Sequence, residues 1–279
     1  MHELGYSISE LCKCAEVGRA SYYKWVNRTE TDRDKENKPI LDEIIKLYEE
    51  VKGIYGYRRM TLNINKILSS NYNHKRIYRL MKSVKLTAVI RRKKKRYIQS
   101  TPQVTAENIL NRKFVATKPN EKWLTDVTEF KLSNGTKAYL SAILDLADNS
   151  IVSYVLGKAN NNKLVFETLD KAIEINPTAK PLFHSDRGFQ YTSKNFKNKL
   201  DKIDAVQSMS RVGRCIDNGP MEAFWGTLKV EMYYLQKLSD FEELEQAIIK
   251  YIEFYNTKRL QKKLKGMAPT EYRGHALAA

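Results

Sequence analysis

Three carboxylates are spaced as if for shared chemistry. Asp126 stands in WLTDVTEF, Asp186 in HSDRGFQY and Glu222 in DNGPMEAFWG. Asp126 falls in the middle of a run rich in β-branched and aromatic residues, which reads as a strand. Pro181-Leu182-Phe183-His184 reads as a short buried strand ending at Ser185-Asp186, and the end of such a strand is a common place for a functional group. Glu222 lies in the first turn of a helix announced by Asn218-Gly219 and by Pro220 at the first helical position. If the two strands are neighbours and the helix packs beside them, the three oxygen donors converge. Such a set suits Mg²⁺ or Mn²⁺, which keep several waters and take other ligands from a substrate phosphate. Two such ions about 4 Å apart would activate an attacking oxygen and stabilise a leaving one during in-line displacement.

Taken singly, each residue has a plainer explanation. A lone strand Asp is usually capped or exposed, and a first-turn Glu complements the helix dipole. His184 reads as a satisfied strand-end histidine before it reads as a base. Tyr191, Phe224 and Trp225 read first as core. Trp225 and Lys229 follow Glu222 at i+3 and i+7, so the three share one helix face.

The charge distribution names a substrate class. The net charge is +17, but residues 1–117 hold 25 Lys/Arg against 12 Asp/Glu, while residues 118–279 hold 24 against 20. Between Glu50 and Glu107 there is no acid and there are 15 basic residues. A segment of one sign suits a polyanion, most simply nucleic acid; the plainer alternative is a solvated basic surface. No apolar run approaches the roughly 20 residues of a membrane span. The opening MHELGYSISELCKC carries acids and no long apolar block, so it does not read as a signal peptide. Cys12, Cys14 and Cys215 make no disulfide framework, and Cys12-x-Cys14 lacks a partner pair for zinc. A reduced, cytoplasmic, nucleoid-associated protein with no membrane contact is the expectation.

The elements that would position these residues fall into two parts. Residues 7–27 suggest a short helical pair, and the polar stretch 28–38 reads as a linker. Pro39 then opens a three-helix unit. Leu41, Ile44, Ile45, Tyr48 and Val51 form the first stripe, Met60, Ile64, Ile67 and Leu68 the second, and Ile77, Leu80, Met81 and Val84 the third. The opposite face of the third helix carries His74, Lys75, Arg76, Arg79 and Lys82, which fits a helix-turn-helix-like DNA binder. The run Arg91-Arg92-Lys93-Lys94-Lys95-Arg96 reads as a linker along phosphates, or equally as a solvated tether. From Glu121 the pattern changes to strands over 123–132, 138–146 and 151–156, with Asn134-Gly135 as a hairpin signal. A helix over 164–175, the strand at 181–184, a helix at 195–200, a strand near Val206 and the Glu222 helix follow. The fold class is α/β with a mixed sheet, preceded by a small all-helical domain. Ser239-x-x-Glu242 reads as the capping box of a last long helix. The expected boundaries are 1–37, 38–98, 99–117, 118–236 and 237–279.

The motifs WLTDVTEF, HSDRGFQYTS and DNGPMEAFWGTLKVE resemble those of the OrfB transposases of bacterial insertion sequences of the IS-three class, and more distantly the retroviral integrase core. Thirty-five residues separate Asp186 from Glu222, matching the D-D-35-E spacing of that family, and Lys229 stands where the family places a Lys or Arg. GIYGYRRM looks like its helix-turn-helix module and YNTKRLQKKLKGMAPTEY like its ending, so the resemblance spans nearly the whole chain. It implies an RNase H-like catalytic core, with Asp126, Asp186 and Glu222 holding two Mg²⁺ (or Mn²⁺) ions. It implies Lys229 touching DNA near the reacting phosphate, with Gln190 or Tyr191 helping to place it. The implied reaction is cleavage at the ends of a double-stranded element, exposing a 3′-OH that attacks target DNA. The implied partner besides DNA is the upstream-frame product, fused by frameshifting, or further copies of this chain. Two rivals are a non-catalytic DNA-binding regulator, which leaves the three acids without a role, and an RNase H-type nuclease without strand joining.

Overall fold

The computed structural model describes residues 7–27, 29–90, 107–211 and 215–278. Two short helices, α1 (Ile8–Cys14) and α2 (Arg19–Val26), form the expected pair. The Ser7 side chain and Glu10 cap α1 reciprocally.

The polar stretch expected as a linker is instead the start of a helix. α3 runs Asp32–Glu50, with Thr31 and Asp34 forming a capping box and Pro39 inside the helix. A proline there removes one backbone donor. The cap and the buried stripe Ile40, Ile44 and Leu47 outweigh that loss. α4 (Tyr57–Ile67) and α5 (His74–Ser83) complete the unit. Asn73 caps α5 by accepting from the Lys75 amide. Met60, Ile64, Ile77 and Met81 close the core with Tyr55, whereas Ile67 is exposed.

The second part is a five-stranded mixed sheet of order β3-β2-β1-β4-β5. β1 (Lys122–Lys131), β2 (Lys137–Asp145) and β3 (Ile151–Gly157) form an antiparallel meander. β4 (Leu182–Ser185) and β5 (Val206–Met209) add in parallel on the other side of β1. β1 is therefore the central strand. The period-2 alternation divides its side chains between two layers. Trp123 faces a core with Leu169 of α6 (Asn162–Ile175) and Phe196 and Leu200 of α7 (Lys194–Asp201). Leu124 and Phe130 face the opposite core, built by α8 (Gly219–Glu231) and α9 (Phe241–Thr257).

The cap of α9 is shifted by one residue from expectation. Asp240 is the N-cap, and Glu243, not Glu242, reaches back to the Ser239 amide and hydroxyl. The chain closes with α10 (Pro269–Ala278), whose Arg273 reaches the buried Asp145 and Asp148. The helical unit touches this second part directly: Tyr55 stacks on Phe254, and Lys66 pairs with Glu271. Among the described residues no helix is long and apolar enough to cross a membrane.

Candidate active site

The strand register brings the first two carboxylates together. Leu124 of β1 pairs with His184 of β4 in parallel. Two residues further along each strand stand Asp126 and Asp186. Neighbouring strands lie about 4.8 Å apart, and residues two apart share a face. Asp126 thus lies on the Leu124 side, beneath α8. β4 has ended by Asp186, so the second carboxylate stands at the open edge where the chain leaves the sheet. The Gly188 amide donates to Asp186 Oδ1 at 2.8 Å. A Cβ at Gly188 would stand 3.0 Å from that oxygen and 2.8 Å from Gln190 Oε1, so only glycine fits this turn without displacing them.

α8 lays one face along β1. Pro220 opens it, and Met221, Phe224, Trp225 and Leu228 are buried. Trp225 donates from Nε1 to Asp126 Oδ2 at 3.0 Å, and the Val127 amide donates to Asp126 Oδ1 at 2.8 Å. One turn before Trp225, Glu222 is exposed at the first turn. Further down, Lys229 Nζ sits 5.4 Å above the Phe130 ring. The start of α8 is fixed from beneath. Asn218 donates to the Thr125 carbonyl at 3.1 Å. The buried Asp217 accepts from Arg112 Nε at 2.7 Å, Arg211 Nε at 2.8 Å and Asn108 at 2.8 Å. These donors hold the Asp217 carboxyl far below its ordinary range.

The electrostatics follow from this crowding. Burial first, then the negative charge of Asp186 and more weakly that of Glu222, push the Asp126 pKa up to about 7; its two hydrogen-bond donors oppose the rise. Burial also raises Asp186, against the Gly188 amide. Desolvation lowers the Lys229 pKa, and the charges of Glu129 and Asp126 oppose this. Three acids whose repulsion shows in a raised pKa are chemically suited to a divalent cation, which relieves that repulsion. Among the described residues, however, no group of three or more His, Cys, Asp or Glu side chains is placed to hold a metal ion. Asp126 feels the charges of both Asp186 and Glu222, Asp186 the more strongly.

The remaining candidates divide. Tyr191 is buried core, its hydroxyl 3.3 Å from Thr125 Oγ1. Gln190 is also buried, its amide donating to Asn160, so contact with DNA requires that clamp to open. His184 bridges Ser208 at 2.9 Å and Ser210 at 3.1 Å, and burial lowers its pKa to about 4. It is neutral and structural. On α5, Lys75, Arg79 and Lys82 are exposed. Arg76 is turned inward, bonded to Asn37 at 2.9 Å and Glu36 at 3.1 Å and lying over Tyr72. Arg91, Arg92 and Lys93 lie outside the described residues. Sequence reasoning missed the indole donor of Trp225 and the support given by Asp217. The i+3 spacing signalled a shared face for Trp225 and Glu222, but not which carboxylate the indole meets.

Comparison with known proteins places these parts. Residues 116–215 match the integrase core domain family, residues 222–277 a second integrase core domain family, and residues 35–94 an HTH-like domain. The chain is 42% identical to the protein assigned as transposase InsK of insertion sequence element IS150 in Escherichia coli (strain K12), covering 96% of this chain and 94% of that one. It is 35% identical to the transposase for insertion sequence element IS904 of Lactococcus lactis, covering 84% and 94%. Its fold is like that of a chain in the simian T-cell lymphotropic virus intasome bound to PP2A regulatory subunit B56 gamma. That likeness has a TM-score of 0.50 at 16% identity, covering 82% of this chain and 74% of that one. The integrase core matches, the HTH-like module and the near full-length similarity lead to one assignment: the chain belongs to the insertion-sequence transposases built on an integrase core domain.

Proposed function

We propose that Asp126, Asp186 and Glu222 are the catalytic carboxylates of a DNA strand-transfer reaction at the ends of an insertion sequence. The observation that carries this reading is the parallel β1–β4 register, which sets Asp126 beside Asp186 under the helix bearing Glu222. A bound pair of divalent cations, Mg²⁺ or Mn²⁺, would supply positive charge for the attacking and leaving oxygens. The protein's own groups do the rest. Asp126, held by the Trp225 indole and the Val127 amide, presents a fixed carboxylate. Asp186 is oriented by the Gly188 amide. Lys229, seated over Phe130, offers a cation to a DNA phosphate two turns from Glu222. Lys75, Arg79 and Lys82 of α5 hold duplex phosphates.

In the first step a water oxygen attacks the phosphorus at the element end. The 3′ oxygen leaves and takes up a proton. In the second step that 3′-OH attacks a target phosphodiester, loses its proton, and displaces the target strand's 3′ oxygen. No covalent enzyme intermediate is required. The upstream-frame product or further copies of this chain complete the assembly.

The test uses labelled duplexes taken from the DNA flanking the reading frame, with Mg²⁺ or Mn²⁺. Cleaved and joined products should appear with the wild-type chain. They should fall by at least about a thousandfold, a loss of about 4 kcal/mol of transition-state stabilisation, in Asp126→Asn, Asp186→Asn and Glu222→Gln. Cleavage without joining would make the protein a nuclease, and products surviving in all three variants would refute the assignment.

A further inference from the structure

Glu231 is the last residue of α8, nine positions beyond Glu222. Its carboxylate is almost wholly buried and takes four hydrogen bonds. Arg259 donates from Nη2 to Oε1 at 2.7 Å and from Nε to Oε2 at 2.8 Å, and Tyr251 donates to Oε2 at 3.0 Å. The fourth comes from Arg59 Nη1 to Oε1 at 3.2 Å. Arg259 and Tyr251 belong to the integrase-core part, and the forked Arg259 already neutralises the carboxylate. Arg59 belongs to α4 of the HTH-like unit. Its charge is surplus to pairing, and it sits beside a second guanidinium. Burial first, then Arg259, pull the Arg59 pKa down, with Glu231 opposing. Such a placement is electrostatically costly, and the bond it makes joins the HTH-like unit to the catalytic helix.

From that junction, contacts run unbroken to the site. Arg259 lies 5.3 Å over the Tyr255 ring, Tyr255 meets Phe224 edge-on at 4.9 Å, and Phe224 meets Trp225 at 5.0 Å. Trp225 donates to Asp126. α8 itself is a rigid rod, with about 13 Å between Glu222 and Glu231 at 1.5 Å per residue. We propose that Arg59 and Glu231 are positioning residues that set α8, and through it Trp225 and Asp126, in register with the HTH-like unit. DNA held on that unit is thereby presented to the carboxylates at a fixed offset. The catalytic consequence rests on the strand-transfer reading above; the mechanical link does not.

The Lys66–Glu271 pair crosses the same seam without touching α8, so Lys66→Ala is the control for general loosening. The three tryptophans, Trp25, Trp123 and Trp225, are labelled with 5-fluorotryptophan in the full chain and observed by ¹⁹F NMR. Arg59→Ala should shift the Trp225 resonance and leave Trp123, which lies in the opposite layer, unmoved. Arg59→Lys should restore it, and Lys66→Ala should leave all three in place. Arg59→Gln serves where Arg59→Ala fails to fold. On duplex DNA with Mn²⁺, Arg59→Ala should lower kcat about tenfold at unchanged KM, with Arg59→Lys close to wild type. An unmoved Trp225 resonance, an equal shift in Lys66→Ala, or a loss wholly in KM would overturn the proposal. A Trp225 shift in Arg59→Ala, together with a wild-type chain that cuts no DNA, would uphold the mechanical link and sink the strand-transfer reading instead.

Discussion

Replacing Trp225 by Phe removes the indole donor to Asp126 while keeping an aromatic ring against Phe224. A hydrogen bond to a charged acceptor contributes about 1.5 kcal/mol at the lower end of its range, equivalent to roughly one pKa unit. Asp126 already titrates at about 7, because burial and Asp186 raise it while Trp225 and Val127 oppose them. Without the indole its pKa should rise further, by roughly one unit. The ionised fraction at pH 7 then falls from about one half to about one tenth. Because a carboxylate must be deprotonated to bind a cation, apparent Mn²⁺ affinity at pH 7 should fall about fivefold. At pH 9 both proteins are largely ionised and the difference should nearly vanish. Free Mn²⁺ measured by electron paramagnetic resonance at the two pH values reads this directly, with the melting temperature as a check on folding. An equal loss at pH 7 and pH 9 would show that the indole acts by some route other than Asp126 protonation. No loss at pH 7 would remove Trp225 from the site.

Three further outcomes follow from other contacts. His184 titrates at about 4 when folded and near its ordinary 6.5 when unfolded. The unfolded chain therefore takes up a proton that the folded chain refuses, and stability should decline as pH falls from about 6.5 to about 4. The decline is on the order of 3 kcal/mol at most, and the pH slope of denaturant unfolding should flatten in His184→Gln. Lys75→Ala, Arg79→Ala and Lys82→Ala should each reduce the slope of log affinity against log salt by about 1 for duplex DNA, as expected for a lost phosphate contact. Arg76→Ala, whose guanidinium is bound to Glu36 and Asn37, should leave that slope intact and lower the melting temperature instead. Asp217→Asn leaves Arg112 and Arg211 without their buried acceptor. It should cost about 2 kcal/mol of stability, since both arginines are partly solvated, or about 4–8 °C in melting temperature. Because its folded pKa is depressed, the contribution of Asp217 is present above about pH 4 and is lost as pH falls below that.

Much of this was legible in the chain itself. The β-branched and aromatic residues of WLTDVTEF marked a strand, and the Asn134-Gly135 hairpin signal joined it to the next. The Ile77, Leu80, Met81 and Val84 spacing marked α5. Asn218-Gly219-Pro220 marked the start of α8. Local chemistry misled at Asp32–Lys38, where polarity suggested a linker, because a helix whose apolar stripe begins at Ile40 can extend a polar first two turns into solvent. Arg76, whose charge suggests phosphate, also bonds to Asn37 and Glu36 some forty residues earlier, contacts that no local pattern announces. Burial of Gln190 against Asn160 had no local signal for the same reason.

Sequence alone determined the identities and order of the three carboxylates, the strand-rich stretch carrying the first, and the helix carrying the last, because periodicity and turn residues act within a few positions. Only tertiary structure decided that β4 adds to β1 in parallel at Leu124–His184, which sets Asp126 beside Asp186. It alone decided that Trp225 meets Asp126 from across the core, and that Arg59 reaches the far end of the same helix. Those pairings join residues about 60 to 170 positions apart. Long-range register is fixed by the burial of whole faces, and no local pattern encodes it.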